Sequence, residues 1–204
     1  PGTVGQGHPA NVVVRCLYRA TNGYLYMVVN QSVYAVSSAY VFTQIGTLLT
    51  EGYNPVSMAD NATVIVIVDG SPNGYTVDMA SNAFSQIVST AFYGADKVDY
   101  LDTYFLFNKP GTSIFYSSDS NATTFDPLWF AAKVGYADPM QTLAVMHREI
   151  YLIGALTTEV WYNEGGANFP FAIMQGTFIE HGCAAKYSVG KFGNSLFWLS
   201  HELE

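Results

Sequence analysis

The chain has 204 residues, half of them hydrophobic and only 12% charged, against about 25% in an average soluble domain. Sixteen acidic residues outnumber eight basic ones, for a formal net charge of −8, which excludes a domain that holds nucleic acid by neutralising phosphates. The longest apolar runs stop at about seven residues, as at Ala62 to Val68, whereas a membrane helix needs roughly 20, so no helical span is expected.

In chain order, the glycine-rich opening Pro1 to Gly7 comes first, with no initiating Met and no signal-peptide pattern, and the chain reads as an excised piece. A unit over about 11–50 then offers strands at Val14 to Tyr18, Tyr24 to Val29 after the Asn22-Gly23 turn, Ser32 to Val36, and Phe42 to Ile45. The next unit, about 54–90, repeats this with Val56 to Met58, Thr63 to Val68, Tyr75 to Met79 and Phe84 to Ile87. A third, about 96–136, has Val98 to Leu101, Tyr104 to Phe107 and Ser113 to Tyr116. A fourth, about 141–176, has Leu143 to Met146, then 149–153, then Glu159 to Tyr162. Its phase is open by one strand, because Met146-His147 also falls 39 residues after Phe107-Asn108. Placing His147-Arg148-Glu149 in the turn makes Ile150 to Ile153 the buried run. A fifth unit, 185–204, is truncated and carries a strand at 195–199.

The polar stops Asn30, Asp69 and Asn108 are 39 residues apart, with looser copies at Gly154 and Ser200, each 46 further on. Phe42-Thr43-Gln44-Ile45 and Phe84-Ser85-Gln86-Ile87 lie 42 apart in the same phase. A period of about 40–50 residues built from short strands predicts β-propeller blades. The second strand of each unit is apolar at consecutive positions, as a strand buried on both faces should be. No stretch has helical periodicity, so the fold class is all-β: a single propeller domain over 1–204, or a partial one. Closed propellers have typically about 4–8 blades, so roughly four and a half units would leave an apolar blade face and sheet edges for more chain or for partner subunits to cover.

Chemistry is sparse. The histidines are His8, His147, His181 and His201. His201-Glu202 starts like a zinc-protease motif, but no second histidine follows in the chain. Glu180-His181-Gly182-Cys183 packs three potential ligands into four residues, which is not zinc-site spacing, and reads as a connecting loop. Cys16 and Cys183 read as free thiols rather than a disulfide framework. The sequons at Asn30, Asn61 and Asn121 fall on turns, where Asn and Thr are common for conformational reasons. Ser117 to Thr123 resembles a degenerate Asp-box turn of sialidase propellers, with Asn for Gly and no Trp, yet Arg15, Arg19 and Arg148 are the only arginines and are too few for a sialidase cluster. No P-loop or dinucleotide fingerprint is present. No catalytic, cofactor-binding or metal residue is therefore assigned, and no cofactor is expected.

Several longer stretches carry a resemblance. In order they are Phe105 to Thr112, Thr124 to Leu128, His147 to Gly154, Thr158 to Asn163, Phe169-Pro170-Phe171, Phe178 to Cys183 and Asn194 to Leu199. Together they resemble the packaged-DNA stabilisation proteins, or tail accessory factors, of short-tailed bacteriophages, strongly from about Asp99 to Ser200 and more by repeat pattern before that.

The resemblance implies a non-enzymatic structural virion protein in the tail or head-tail connector, made in the bacterial host cytoplasm. It implies a β-propeller subunit that forms a homo-oligomeric ring, a hexamer, below the portal. That ring closes the channel after packaging and meets the portal-side adaptor and the tail needle and spike proteins. With a charge of −8 the chain is expected to act as a steric plug without tight nucleic-acid binding, and an acidic lumen would let the genome slide out. The alternative is a carbohydrate-binding or sialidase-like propeller, suggested by the Asp-box echo and by 31 aromatic residues.

Overall fold

The computed structural model describes residues 12–200, and every regular element within them is a β-strand. Strands β1 (Val14–Arg19), β2 (Leu25–Val29), β3 (Ser32–Val36) and β4 (Phe42–Thr47) pair antiparallel in chain order as the first blade. The second blade is β5 (Ser57–Asp60), β6 (Val64–Val68), β7 (Gly74–Asp78) and β8 (Phe84–Gln86). The third is β9 (Val98–Leu101), β10 (Tyr104–Asn108), β11 (Ile114–Ser117) and β12 (Phe130–Ala132). The fourth is β13 (Met140–Met146), β14 (Glu149–Gly154), β15 (Thr158–Asn163) and β16 (Phe171–Ile173). A hairpin of β17 (Gly190–Phe192) and β18 (Ser195–Phe197) follows.

The open phase of the fourth blade is settled by its turn. His147 and Arg148 sit at φ 52° and 64° between β13 and β14, the paired left-handed conformations of a two-residue hairpin. Glu149, expected in the turn, instead opens β14 opposite Met146. It does not pair with Arg148, which reaches Asp102 of the third blade at 3.0 Å, while Tyr151 donates to the Glu149 carboxylate.

Blades stack face against face. Ile65 and Ile67 of β6 pack with Tyr26, Val28 and Val33 of the first blade. Val66 and Val68, on the other side of the same strand, pack with Phe105, Phe107 and Tyr116 of the third. Leu106 faces away from those phenyl rings and meets Leu143, Ile150, Leu152 and Trp161 of the fourth blade. A strand that alternates between two cores can have no polar side, which is why these runs are unbroken. The rings interlock: Phe107 stacks on Tyr116 at 5.1 Å, and Phe92 meets both edge-on.

The recurring polar stop at the end of the second strand has a mechanical reason. Asn30 Oδ1 accepts the amide of Val13, just before β1, and Asn108 Oδ1 accepts those of Asp96 and Lys97, just before β9. The side chain thus closes the open end of its own blade by taking amides that no strand pairs. Asp69 turns instead to Ser71, accepting its amide and hydroxyl, and lies 3.7 Å from the buried Arg15 guanidinium. In the fourth blade Gly154 has no side chain, and Asp138 supplies the carboxylate from the segment just before β13, accepting the amides of Leu156 and Thr157. Lys133 and Thr157 donate to the same group, which pins the end of β12 to the fourth blade.

The first blade differs from the rest in charge. Residues 20–50, spanning β2, β3 and β4, contain no charged side chain. Its outer strand β4 runs six residues where β8, β12 and β16 run three, and Phe42, Tyr40 and Val41 beside it are exposed.

Candidate functional site

The first strands of successive blades lie side by side, β1 against β5, β5 against β9 and β9 against β13, and so line an axial groove. Two cavities occupy it. One, of about 440 Å³, is bounded by Tyr18, Thr21, Asp60, Lys97, Asp99, Tyr100 and Ala144, with Val189 and Lys191 arriving from the fifth unit. The other, of about 260 Å³, is bounded by Cys16, Tyr18, Val56, Met58, Asp96, Lys97 and Thr142, with Lys186, Tyr187 and Val189.

The carboxylates in this groove are engaged. Asp60 ends β5 and takes the Tyr18 hydroxyl at 2.7 Å, the Thr21 amide at 3.1 Å, the Thr21 hydroxyl and the Ala62 amide. Burial would raise the Asp60 carboxyl, but these donors outweigh it and hold it below its ordinary value. The Tyr18 phenol is raised by its own burial and by the same carboxylate. Asp99 accepts the Val145 amide at 2.8 Å and the Lys191 ammonium at 2.5 Å. Lys186 meets Asp96 at 2.9 Å; burial alone would lower its amine, yet Asp96 keeps it above the usual lysine value. Burial lowers the Lys97 amine against the pull of Asp99, and it pushes the half-buried Cys16 thiol up to about 11.

The groove is balanced in charge, with Asp60, Asp96 and Asp99 against Lys97, Lys186 and Lys191. Part of the acidic surplus is spent inside the blades: Asp69, Asp138 and Glu159 are buried and tie up amides, hydroxyls or an indole.

The residues singled out in the sequence are scattered. His8 and the pair His201-Glu202 lie outside the described residues. His147 is the turn residue already described. Around Glu180 to Cys183 the chain is a tether: His181 O accepts the Thr158 hydroxyl, Gly182 O accepts the Trp198 indole, and Cys183 N donates to Gly154 O. Cys16 and Cys183 are free thiols, the second buried. Arg15 is buried in loop carbonyls, Arg148 pairs with Asp102, and Arg19 ends β1, so the three arginines serve different blades. The Asp-box-like segment is a closed turn in which Asp119 N donates to Thr124 O and the Thr124 hydroxyl returns to Asp119. Asn30 and Asn121 take left-handed backbone, and Asn61 Oδ1 caps the amides of Thr63 and Val64. Among the described residues, no group of three or more His, Cys, Asp or Glu is placed to hold a metal ion.

Sequence reasoning did not single out the groove. A signal was available, since Asp60, Asp99 and Asp138 recur at the same spacing of 39. They are not equivalent in space: Asp60 ends β5, Asp99 is second in β9 and Asp138 precedes β13.

Solved structures place the fold among propellers. BamB from Moraxella catarrhalis is similar at 15% identity with a TM-score of 0.61, covering 93% of this chain and 56% of that one. The C-terminal WD40 domain of Sif2 is similar at 13% identity with a TM-score of 0.54, covering 73% and 43%. The chain thus spans about half the length of the solved propellers it matches. No curated protein matches it. A family model described as "Phage_stabilise: Bacteriophage P22 Gp10, beta-propeller" matches residues 6–204.

Proposed function

The chain belongs to this phage-stabilisation family of P22 Gp10-like β-propellers, and from that membership we propose that it closes the portal channel of a phage head-to-tail connector over packaged DNA. In this reading the protein is a virion component made in the bacterial host cytoplasm, assembled as a hexameric ring, with catalytic, metal and cofactor chemistry absent. Its rim receives the portal-side adaptor on one side and the tail needle and spike proteins on the other.

The observation that carries this reading is the family match along residues 6–204. The physical features agree with a plug. Non-specific DNA affinity comes from phosphate neutralisation, and this chain has eight basic residues against sixteen acidic. Three of its lysines are held by carboxylates: Lys186 and Lys191 are ion-paired in the groove, and Lys133 is buried on Asp138 outside it. Little cationic surface is left for a phosphate backbone, so retention would be steric. No observation favours the carbohydrate reading, because the Asp-box echo is tied up by its own turn and by Thr103 and Phe105.

Light scattering of the protein with and without a portal ring, together with a DNA titration at low salt, tests the proposal. The expected result is a ring-sized oligomer docked to the portal and weak DNA binding. A monomer at micromolar concentration in the presence of the portal ring overturns it, as does tight DNA binding that weakens steeply with salt.

A further inference from the structure

The fifth unit is attached to the rest in an unusual way. Its apolar side chains are largely outside: Phe192 is 80% exposed, Phe197 58% and Leu199 61%. None of residues 184–199 joins the three buried clusters that hold the blades together. Cys183 N to Gly154 O anchors the start of the unit to the fourth blade, and Ala184 N to Leu199 O closes the unit on itself. What then carries the intervening chain across the axis is a pair of ion pairs to the third blade. Lys186 reaches Asp96 and Lys191 reaches Asp99, across 90 and 92 residues of sequence. Both lysine side chains are partly in water, at 37% and 43% exposure.

The two axial cavities share Tyr18, Met58, Lys97 and Val189 as lining. The cavities thus adjoin, and Val189 is the shared residue that the fifth unit contributes. We propose that residues 184–191 form an ionic latch across this groove, hinged at Cys183, whose release joins the two cavities and exposes the inner faces of β1, β5 and β9. The inference rests on the fold alone and holds whether or not the protein acts in a virion.

The physical basis is that hydrophobic burial is indifferent to moderate salt, while partly exposed ion pairs are screened once the Debye length falls from about 10 Å at 0.1 M to about 3 Å at 1 M. Blade stacking should therefore stay intact while the latch loosens. Cys16 reports the event, because it packs on the core between the first two blades on one side and lines the smaller cavity with Lys186 and Tyr187 on the other. Once uncovered, it would ionise and react more readily at a given pH. Cys183, buried at the hinge, is the internal control.

The test is maleimide labelling of the natural chain at one pH, with labelled peptides mapped for each thiol, at about 0.05 M and about 1 M sodium chloride. The latch predicts Cys16 labelling about tenfold faster at high salt, an opening shift of about 1.4 kcal/mol, with Cys183 slow throughout. A Lys186→Gln, Lys191→Gln double variant should label Cys16 fast at both salt concentrations. A Cys16 rate unchanged by salt and by the double variant overturns the latch, as does parallel acceleration of Cys183, which would mean general unfolding.

Discussion

The carboxylate of Asp138 lies in the space that a β-carbon on Gly154 would need. The first and third blades close their ends with an Asn at the end of the second strand that accepts amides from before the first; the fourth reverses the arrangement, placing the accepting acid before its first strand and leaving glycine opposite. In these three blades the joint is kept while its residues trade places, and the second blade departs from it through Asp69.

Gly154→Ala should therefore be costly even though Gly154 has no left-handed backbone to excuse it. The added methyl meets a buried carboxylate that is already held by Lys133, Thr157 and two amides, so overpacking is expected to cost about 1–3 kcal/mol. Urea unfolding checks this. The loss should shrink when Asp138→Ala is made in the same chain, and purely additive effects would contradict the shared space.

Arg15→Lys should cost about 3 kcal/mol. Arg15 Nε donates to Asn54 O at 2.7 Å, and Nη1 donates to Asn30 O and Thr50 O, with the side chain fully buried. A single ammonium cannot span carbonyls on both the β2–β3 turn and the loop between the first two blades. Proteolysis should then cut first within 50–54, and an unchanged cleavage pattern would speak against the clamp.

Acid should weaken the joint between the first and second blades. The Asp60 carboxyl is held below its ordinary value in the folded chain, so its stabilisation is complete above the unfolded value of about 3.9 and is lost as pH falls through the folded one. Asp60→Asn should be less stable at pH 7 and should lose less on going from about pH 5 to about pH 3 than the natural chain. Denaturant midpoints at those pH values decide it, and parallel curves would rule Asp60 out. A residual acid slope is expected, because Asp138 is depressed in the same sense.

The parts of the fold legible in the sequence were those where two cores act on one strand. β6 and β10 are apolar along almost their whole length, so 63–68 and 104–107 stood out, with β2 at the same spacing of 39 and β14 and β18 at a looser 46. The outer strands β12 and β16 escaped because three residues cannot display a period and neither shows a common face, with Phe130 exposed in one and Phe171 buried in the other. β17 escaped because Gly190, Lys191 and Phe192 are all exposed. The axial groove was illegible for a different reason. Its contacts join residues such as Lys191 and Asp99 that share no local pattern, and only the closing of the blades around the axis brings them together.

The uncharged stretch 20–50 of the first blade has a consequence for synthesis. At roughly 5–20 residues per second, the 39 residues that separate Asn30 from Asp69 take a few seconds to emerge. During that time Tyr26, Val28 and Val33 have no second blade to pack on, and no charge between residues 20 and 50 guards the edge of β4 against strands from a neighbouring nascent chain. On a polysome, where copies of the same segment emerge side by side, the order of events matters: the blade must find β6 of its own chain before it finds β4 of another. The yield of folded protein would then be set by translation speed as much as by the stability of the finished fold.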